Sequence, residues 1–495
     1  MERQNLKEMM DKLRLKYQSL SVQLRASFWF VVCSFLQRAI SVITTPIFTR
    51  ILSTGEYGEF TVFNTWTGIA TIIVTLNLFA GVFTQGLVKF EEDRKIFCST
   101  LQGLTLTLTA GWTAAYLAFQ NFLNDAMSMN TKQGLMMLII IWSSSAFQFW
   151  AAEQRVLYHY KGLVMLTLAI SVMQPAVSIL FILSSDDKVT ARILGIALVN
   201  AIGYTSCFVA QMIRGRKFFS SKYWKYAVMF NLPLIPHYLS ITVLTGADRV
   251  MIERMVGASE AGIYGLAYSL AQIMTLLNTS LIQALDPWLY QRIKYNRINE
   301  MARVADYCVL LIALFNLILI AFAPEAVRIF APESYYDAIW VIPPVAMSTV
   351  FMFLYDLFAK FEFYYEKRMF IMAASVIGAI LNIVLNFIFI RIFGYYAAGY
   401  TTLFCYFLYA AGHYFAMRHI CNQFLNHVRP YNMRIIAAVV VGFMGTGFLL
   451  MMTYKNIYIR YTLVLVFCVA AYLERNRIRD LILDLSAAHK EGRNG

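Results

Sequence analysis

Charge is scarce in this sequence: Asp, Glu, Lys and Arg make up 14% of its 495 residues, against roughly a quarter in an average soluble domain. That deficit excludes an ordinary water-soluble fold. Long polar stretches are missing as well, since the widest breaks between apolar runs, 286–303 and 418–433, stay under about 20 residues and leave no room for a separate soluble domain. The seven cysteines (Cys33, Cys98, Cys207, Cys308, Cys405, Cys421 and Cys468) are scattered, without a CxxC pair or a spacing that suits a metal, and read as packing residues. No G-x(4)-G-K-[ST] pattern occurs, so ATP hydrolysis by this chain is not expected. The first 25 residues are a basic tail with Lys7, Lys12, Arg14 and Lys16, lacking the apolar core and cleavage site of a secretory signal, so the first helix itself should direct insertion.

What fills the sequence is apolar: hydrophobic residues are 59% of it. Runs of about 20 such residues, enough to cross a hydrocarbon core of about 30 Å, recur from Phe28 almost to the C-terminus. Fourteen transmembrane helices are expected, over 26–49, 62–86, 97–120, 134–153, 163–184, 190–213, 228–252, 261–285, 304–323, 338–360, 369–391, 395–417, 434–453 and 457–473. A membrane barrel would show short alternating segments instead. The fold class is all-α.

The formal charge of +14 does not signal nucleic acid. Lys and Arg alternate by loop, and most of the 42 gather in the tails and every second loop, including Arg214, Arg216, Lys217, Lys222 and Lys225. By the positive-inside rule both termini are expected in the cytoplasm. The opposite loops hold Arg50, Lys132, Lys188, Arg192, Arg254, Arg328, Arg391, Lys455 and Arg460, which leaves Arg38, Arg249 and Lys360 inside helices.

One internal repeat stands out. Arg50-Ile-Leu-Ser-Thr-Gly-Glu56-Tyr-Gly58-Glu-Phe60 aligns without gaps on Arg254-Met-Val-Gly-Ala-Ser-Glu260-Ala-Gly262-Ile-Tyr264; Tyr158 with Lys161 matches Tyr364 with Lys367, and Gly195 falls on Gly399. The shared spacing of about 204–206 residues argues for two pseudo-symmetric six-helix lobes with two helices added, and for a substrate path between the lobes. The expected division is a tail 1–25, a lobe 26–213, a cytoplasmic linker 214–227, a lobe 228–417, a loop 418–433, two extra helices within 434–473 and a tail 474–495. For the repeated element itself the plainer reading is a tight outer loop, with glycine permitting the turn and the charges in interfacial water.

Leu232-Pro-Leu-Ile-Pro-His237-Tyr-Leu-Ser, then Asp248-Arg249, Ala261-Gly-Ile-Tyr264, Ala284-Leu-Asp-Pro287-Trp-Leu-Tyr290, Tyr364-Tyr365, Leu381-Asn382 with Leu385-Asn386, Phe393-Gly394-Tyr395 and Gly399 together resemble the second half of the Wzx-type oligosaccharide flippases. Pro46-x-x-x-Arg50 and Glu56-Tyr-Gly58 carry the resemblance in the first half. It extends over roughly residues 25–420 and rests on order and spacing, because each motif is short. The resemblance implies membership of the multidrug/oligosaccharidyl-lipid/polysaccharide exporter superfamily. It also implies a flippase for undecaprenyl-pyrophosphate-linked O-antigen or capsule units, working by alternating access in a bacterial inner membrane, with other polysaccharide-assembly membrane proteins as further partners. No catalytic residue, cofactor or metal is expected; a coupling ion, proton or sodium, is.

Candidate transport residues follow from the rule that ionisable groups inside a membrane face water or a partner, because an Arg at mid-depth costs about 2.5–3.5 kcal/mol on insertion scales. Arg38, near the middle of the first helix, is expected in a hydrated cavity, where its guanidinium suits a pyrophosphate; an ion pair or snorkelling is the alternative. Arg249, beside Asp248, either faces that cavity or pairs with Glu253 four residues on. Lys360, spaced i+4 from Asp356, joins the cationic set, with snorkelling as the alternative. Asn382 and Asn386 share a helix face and either bind sugar hydroxyls or bond a neighbouring helix. Pro233 and Pro236 interrupt the seventh helix as a hinge or a packing feature, and His237 beside them either couples protons or is a hydrogen-bonded lone histidine.

The rivals are a cation-coupled multidrug antiporter, which would carry acidic groups in the membrane, a membrane enzyme with a large outer loop, and a lipid II flippase. The buried charge expected here is basic and no large loop exists, which favours a flippase over the first two rivals, while a lipid II flippase is poorly separated from an oligosaccharide flippase by sequence.

Overall fold

The computed structural model describes residues 21–473, so most of the expected basic tail and the tail 474–495 lie outside the described residues. Eighteen α-helices and three short 3-10 turns make up the described chain, with no strand among the described residues. In lipid a backbone has no water to bond, and helices satisfy their own N–H and C=O groups. Ten helical segments among the described residues are long and apolar enough to cross a membrane. Helices also cover three of the four remaining expected spans, and two shorter helices lie in the fourth, 62–86.

The chain clusters into two compact units, and their elements are numbered here in chain order. The first unit comprises residues up to Leu52 and Trp66–Tyr238. It contains α1 (Val22–Ile51), the second part of α2 (Thr54–Thr75), α3 (Val82–Lys89), α4 (Arg94–Ala118), α5 (Gln120–Met127), α6 (Thr131–Val156), α7 (Tyr160–Leu183), α8 (Lys188–Gly215) and α9 (Ser221–Asn231). α8 is its centre, packed on α4, α6 and α7. Phe83, Phe97, Phe149 and Tyr223 interlock in its core, with Phe83 and Phe149 edge to face at 4.7 Å.

The second unit comprises Ser53–Thr65 and the chain from Leu239 onward. It holds the start of α2, nearly all of α10 (Ile235–Met255), then α11 (Ala258–Lys294), α12 (Met301–Ala321), α13 (Ala323–Phe330), α14 (Ile342–Tyr364), α15 (Arg368–Phe393), α16 (Ala397–Phe424), α17 (Met433–Met452) and α18 (Ile457–Leu473). α14 is the buried axis, contacted by α11, α12, α15, α16 and α17. The added helix α18 is tied in through an ion pair between Arg460 and Glu325 of α13.

Two expectations need correction. The second span, expected continuous over 62–86, is broken: α2 stops at Thr75, Leu76 and Asn77 take left-handed backbone angles with φ of 51°, and Gly81 follows with φ of 60°. Carbonyls freed by a break inside a membrane need donors. Asn231, at the end of α9, supplies them, its amide donating to the carbonyls of Leu76 at 2.9 Å and Asn77 at 2.7 Å.

The repeated Arg-x(5)-Glu-x-Gly element is not a loop, and its glycine does not serve a turn. Each copy starts a helix. Ser53 and Glu56 form a reciprocal cap on α2, at 2.7 and 3.2 Å, and Glu260 occupies the same third position after Gly257 at the start of α11. The two starts then cross in contact. A Cβ at Gly58 would lie 1.8 Å from the Ala258 carbonyl oxygen, and one at Gly262 2.0 Å from that of Thr54. Ala258 is the repeat counterpart of Thr54, so the crossing is reciprocal. Thr54 and Ser259 close it with a 2.7 Å hydroxyl–hydroxyl bond. Small residues at a membrane helix crossing let backbones approach closely.

Candidate functional site

Within the second unit, α10 and α11 bring Asp248, Arg249, Tyr264 and Tyr268 together. Asp248 is buried and fully committed: one carboxylate oxygen accepts from the Tyr264 hydroxyl at 2.5 Å and the other from the Arg249 backbone N–H at 2.9 Å. The Arg249 guanidinium lies 4.0 Å from the centroid of the Tyr268 ring and donates to the Thr245 carbonyl at 3.2 Å. Those groups, rather than the expected Glu253, are its partners among the described residues. Arg249 is half-buried. A cation held over an aromatic face keeps its remaining N–H donors for an anion.

A second group spans α11, α14 and α16. Lys360 does not snorkel; it is buried, and its Nζ lies 2.8 Å from Asp286 of α11. Asp356, half-buried, is within electrostatic reach of Lys360, Asp286 and His413. One turn on, Glu362 Oε1 stands 2.7 Å from His413 Nδ1, with both residues out of solvent. Tyr355 and Tyr409 flank that imidazole, at ring separations of 5.6 and 4.6 Å.

Asn382 and Asn386 are buried between α15 and α16. The Asn386 amide donates to Asn382 at 3.1 Å and its oxygen accepts from Thr401 of α16. This is the bond to a neighbouring helix, not a face open to sugar.

In the first unit, Arg38 is exposed on α1. A polar cavity of about 280 Å³ opens nearby but is lined by Gln37, Ser41, Gln174 and Arg192, not by Arg38. Arg192, expected in an outer loop, lies inside α8 and is buried, its guanidinium 3.8 Å from the centroid of the Phe48 ring. The prolines do interrupt the seventh span: α9 ends at Asn231, a 3-10 turn covers Leu232–Leu234 around Pro233, and α10 begins with Pro236 in its first turn. His237 is half-buried beside the Tyr238 ring, without a carboxylate partner among the described residues.

Sequence reasoning missed Glu362, His413 and Asp286 as site residues. The rule that singled out Arg38 applies equally to a histidine within the apolar run of α16 and a glutamate at the end of α14. The deepest charges in the second unit are therefore acidic as well as basic, Glu362 and Asp248 being 0% and 1% exposed, which corrects the expectation of a basic interior.

A family model for polysaccharide biosynthesis proteins matches residues 24–292, more than half of the chain, and one named MatE matches 233–388. The "Lsg locus putative protein 1" of Haemophilus influenzae is 23% identical over 381 residues, covering 72% of this chain and 88% of that protein. Among solved structures, the lipid II flippase MurJ in an inward closed conformation superposes with a TM-score of 0.66 at 13% identity, over 91% of this chain and 99% of its own. An inward-facing multidrug resistance MATE transporter superposes at 0.59 and 13% identity, over 81% and 95%. The all-α polytopic fold is thus shared with both solved transporters. With its family match spanning the first half and the start of the second, this chain belongs to the polysaccharide biosynthesis protein family, a family of membrane flippases.

Proposed function

We propose that this chain translocates undecaprenyl-pyrophosphate-linked oligosaccharide units from the cytoplasmic to the periplasmic leaflet of a bacterial inner membrane, by alternating access, for surface polysaccharide. The observation that carries the reading is Arg249, a cation inside a membrane helix whose neighbouring carboxylate is taken up by Tyr264. A pyrophosphate crossing the membrane loses hydration while its polyprenyl tail stays in lipid. Fixed guanidinium donors replace that hydration, two phosphate oxygens at a time. Arg38, exposed on α1, is the second cation in this reading.

The test is surface polysaccharide in a flippase-null strain complemented with each variant at matched membrane abundance. Arg249→Ala and Arg38→Ala abolish export, whereas Arg→Lys retains part of it by keeping charge without bidentate geometry. Full activity of both alanine variants would reject the cationic mechanism.

The buried acids Glu362 and Asp248 favour a second reading, a cation-coupled multidrug antiporter. Thermal-shift measurements on the purified chain separate the readings: stabilisation by pyrophosphate-linked lipid sugars supports the flippase, and stabilisation by drug cations alone supports the antiporter. Lipid II in the same assay, set against O-antigen or capsule units, decides which glycan is preferred.

A further inference from the structure

Both units bury a glutamate on one helix against a polar partner from another, and the partners differ in kind. In the first unit Glu153 of α6 accepts from the Gln211 amide of α8 at 2.8 Å, and Gln211 in turn accepts from Gln102 of α4 at 2.7 Å. In the second, Glu362 of α14 meets His413 of α16 at 2.7 Å. α6 and α14 are the fourth spans of their sequence halves, and α8 and α16 the sixth. An amide cannot titrate; an imidazole can.

A cavity of about 270 Å³ borders the second pair. Its lining includes Glu362, His413, Phe370, Ala374, Gly378 and Tyr409. Glu362 Oε2 and His413 Nε2 are buried yet have no hydrogen-bond partner among the described residues. Buried polar atoms in native structures are nearly always satisfied, and the exceptions call for an explanation. Here both open atoms belong to one acid–base pair at one cavity.

We propose that Glu362 and His413 form a proton-binding site that couples transport to a proton gradient, an inference that rests on the flippase reading above. A carboxylate beside a neutral imidazole carries one negative charge; taking up one proton gives a carboxylate–imidazolium pair of zero net charge, and releasing it restores the first state. The titratable and charged neighbours are Tyr355, Asp356 and Lys360 on α14, Cys405 and Tyr409 on α16, and Asp286 on α11; the lining from α15 is uncharged. The charge change has a route to α11, because Lys360 stands two residues from Glu362 and holds Asp286, which directly precedes Pro287, a proline inside that helix. His237, lacking a carboxylate partner, offers no such pair.

Two measurements on the full chain test this. The first is the distribution of a fluorescent undecaprenyl-pyrophosphate-linked disaccharide across proteoliposomes under an imposed pH gradient. With one proton exchanged per molecule moved, that distribution shifts by up to about tenfold per pH unit in the wild type, and stays flat in Glu362→Gln and His413→Gln. The His413→Gln variant recreates the Glu–amide pairing that the first unit already folds with, and melting curves confirm that both variants are folded. The second is infrared difference spectroscopy across a pH jump, which shows an imidazole-to-imidazolium band change that His413→Gln removes. It needs no transported probe, so failure of the flippase reading, seen as no movement of the disaccharide by the wild type, still leaves the proton site decided. A wild-type gradient response in either variant, an infrared titration unchanged by His413→Gln, or loss of the response only in His237→Gln would each overturn the proposal.

Discussion

Gly262→Ala sets a Cβ 2.0 Å from the Thr54 carbonyl oxygen and 3.0 Å from the Gly58 nitrogen, against backbone that no side-chain rotation can move. To regain an ordinary carbon–oxygen contact of about 3.3 Å, the starts of α2 and α11 must part by roughly 1.3 Å. Overpacking of this kind costs about 1–3 kcal/mol. At about 2–4 °C per kcal/mol for a unit of this size, the melting midpoint of the purified protein should fall by about 2–12 °C. Separation also stretches the 2.7 Å contact between Thr54 and Ser259. A Thr54→Cys, Ser259→Cys pair should oxidise readily on the wild-type background and slowly when Gly262→Ala is added, as read by mobility on a non-reducing gel. Gly58→Ala, with a 1.8 Å clash, should be at least as disruptive. An unshifted melting midpoint together with unchanged cross-linking in Gly262→Ala would refute the close crossing.

Lys360→Met should destabilise by about 1–3 kcal/mol, less than the roughly 3–5 of a fully buried pair because a third of the Asp286 side chain stays exposed, and adding Asp286→Asn should recover part of it in a double-mutant cycle by thermal melting. Asn386→Leu and Thr401→Val should each cost about 1–2 kcal/mol, and the double variant clearly less than their sum, since they break one shared hydrogen bond between α15 and α16. An alkaline phosphatase fused to the C-terminus, or inserted in 214–226, should be inactive in cells if these segments are cytoplasmic; an active C-terminal fusion would sink the fourteen-span topology.

Existence and type of the helices were legible because a run of about 20 apolar residues has few other physical solutions in a bilayer. The break after Thr75 was not, because Leu76, Leu78 and Phe79 continue the apolar pattern; only Asn77 and Gly81, the residue types that tolerate left-handed backbone, hinted at it. Register also carried the repeat at Gly58 and Gly262 but not its meaning, since a glycine for a turn and a glycine for a helix crossing look alike until a partner backbone is in place. Pairing across helices was the larger loss. Asp356 four residues before Lys360 suggested a local partner, yet the nearest carboxylate belongs to Asp286, seventy-four residues away in sequence. His413 and Glu362 went unnoticed for the same reason: each looks isolated in an apolar segment, and their chemistry exists only as a pair.

The side-chain brace between Asn231 and the break after α2 has a kinetic consequence. Both amide hydrogens of one residue are spent on the carbonyls of Leu76 and Asn77; the Asn77 carbonyl also accepts from the Ala80 N–H at 3.0 Å, whereas in lipid that of Leu76 depends on Asn231. Opening the elbow would break two hydrogen bonds at once and strip the Leu76 acceptor, so this corner should behave as a rigid joint while neighbouring segments swing. Spin labels replacing residues 79 and 228, on either side of the brace, should therefore keep a single narrow distance distribution through the whole transport cycle, supplying a fixed ruler against which other movements in the first unit can be measured.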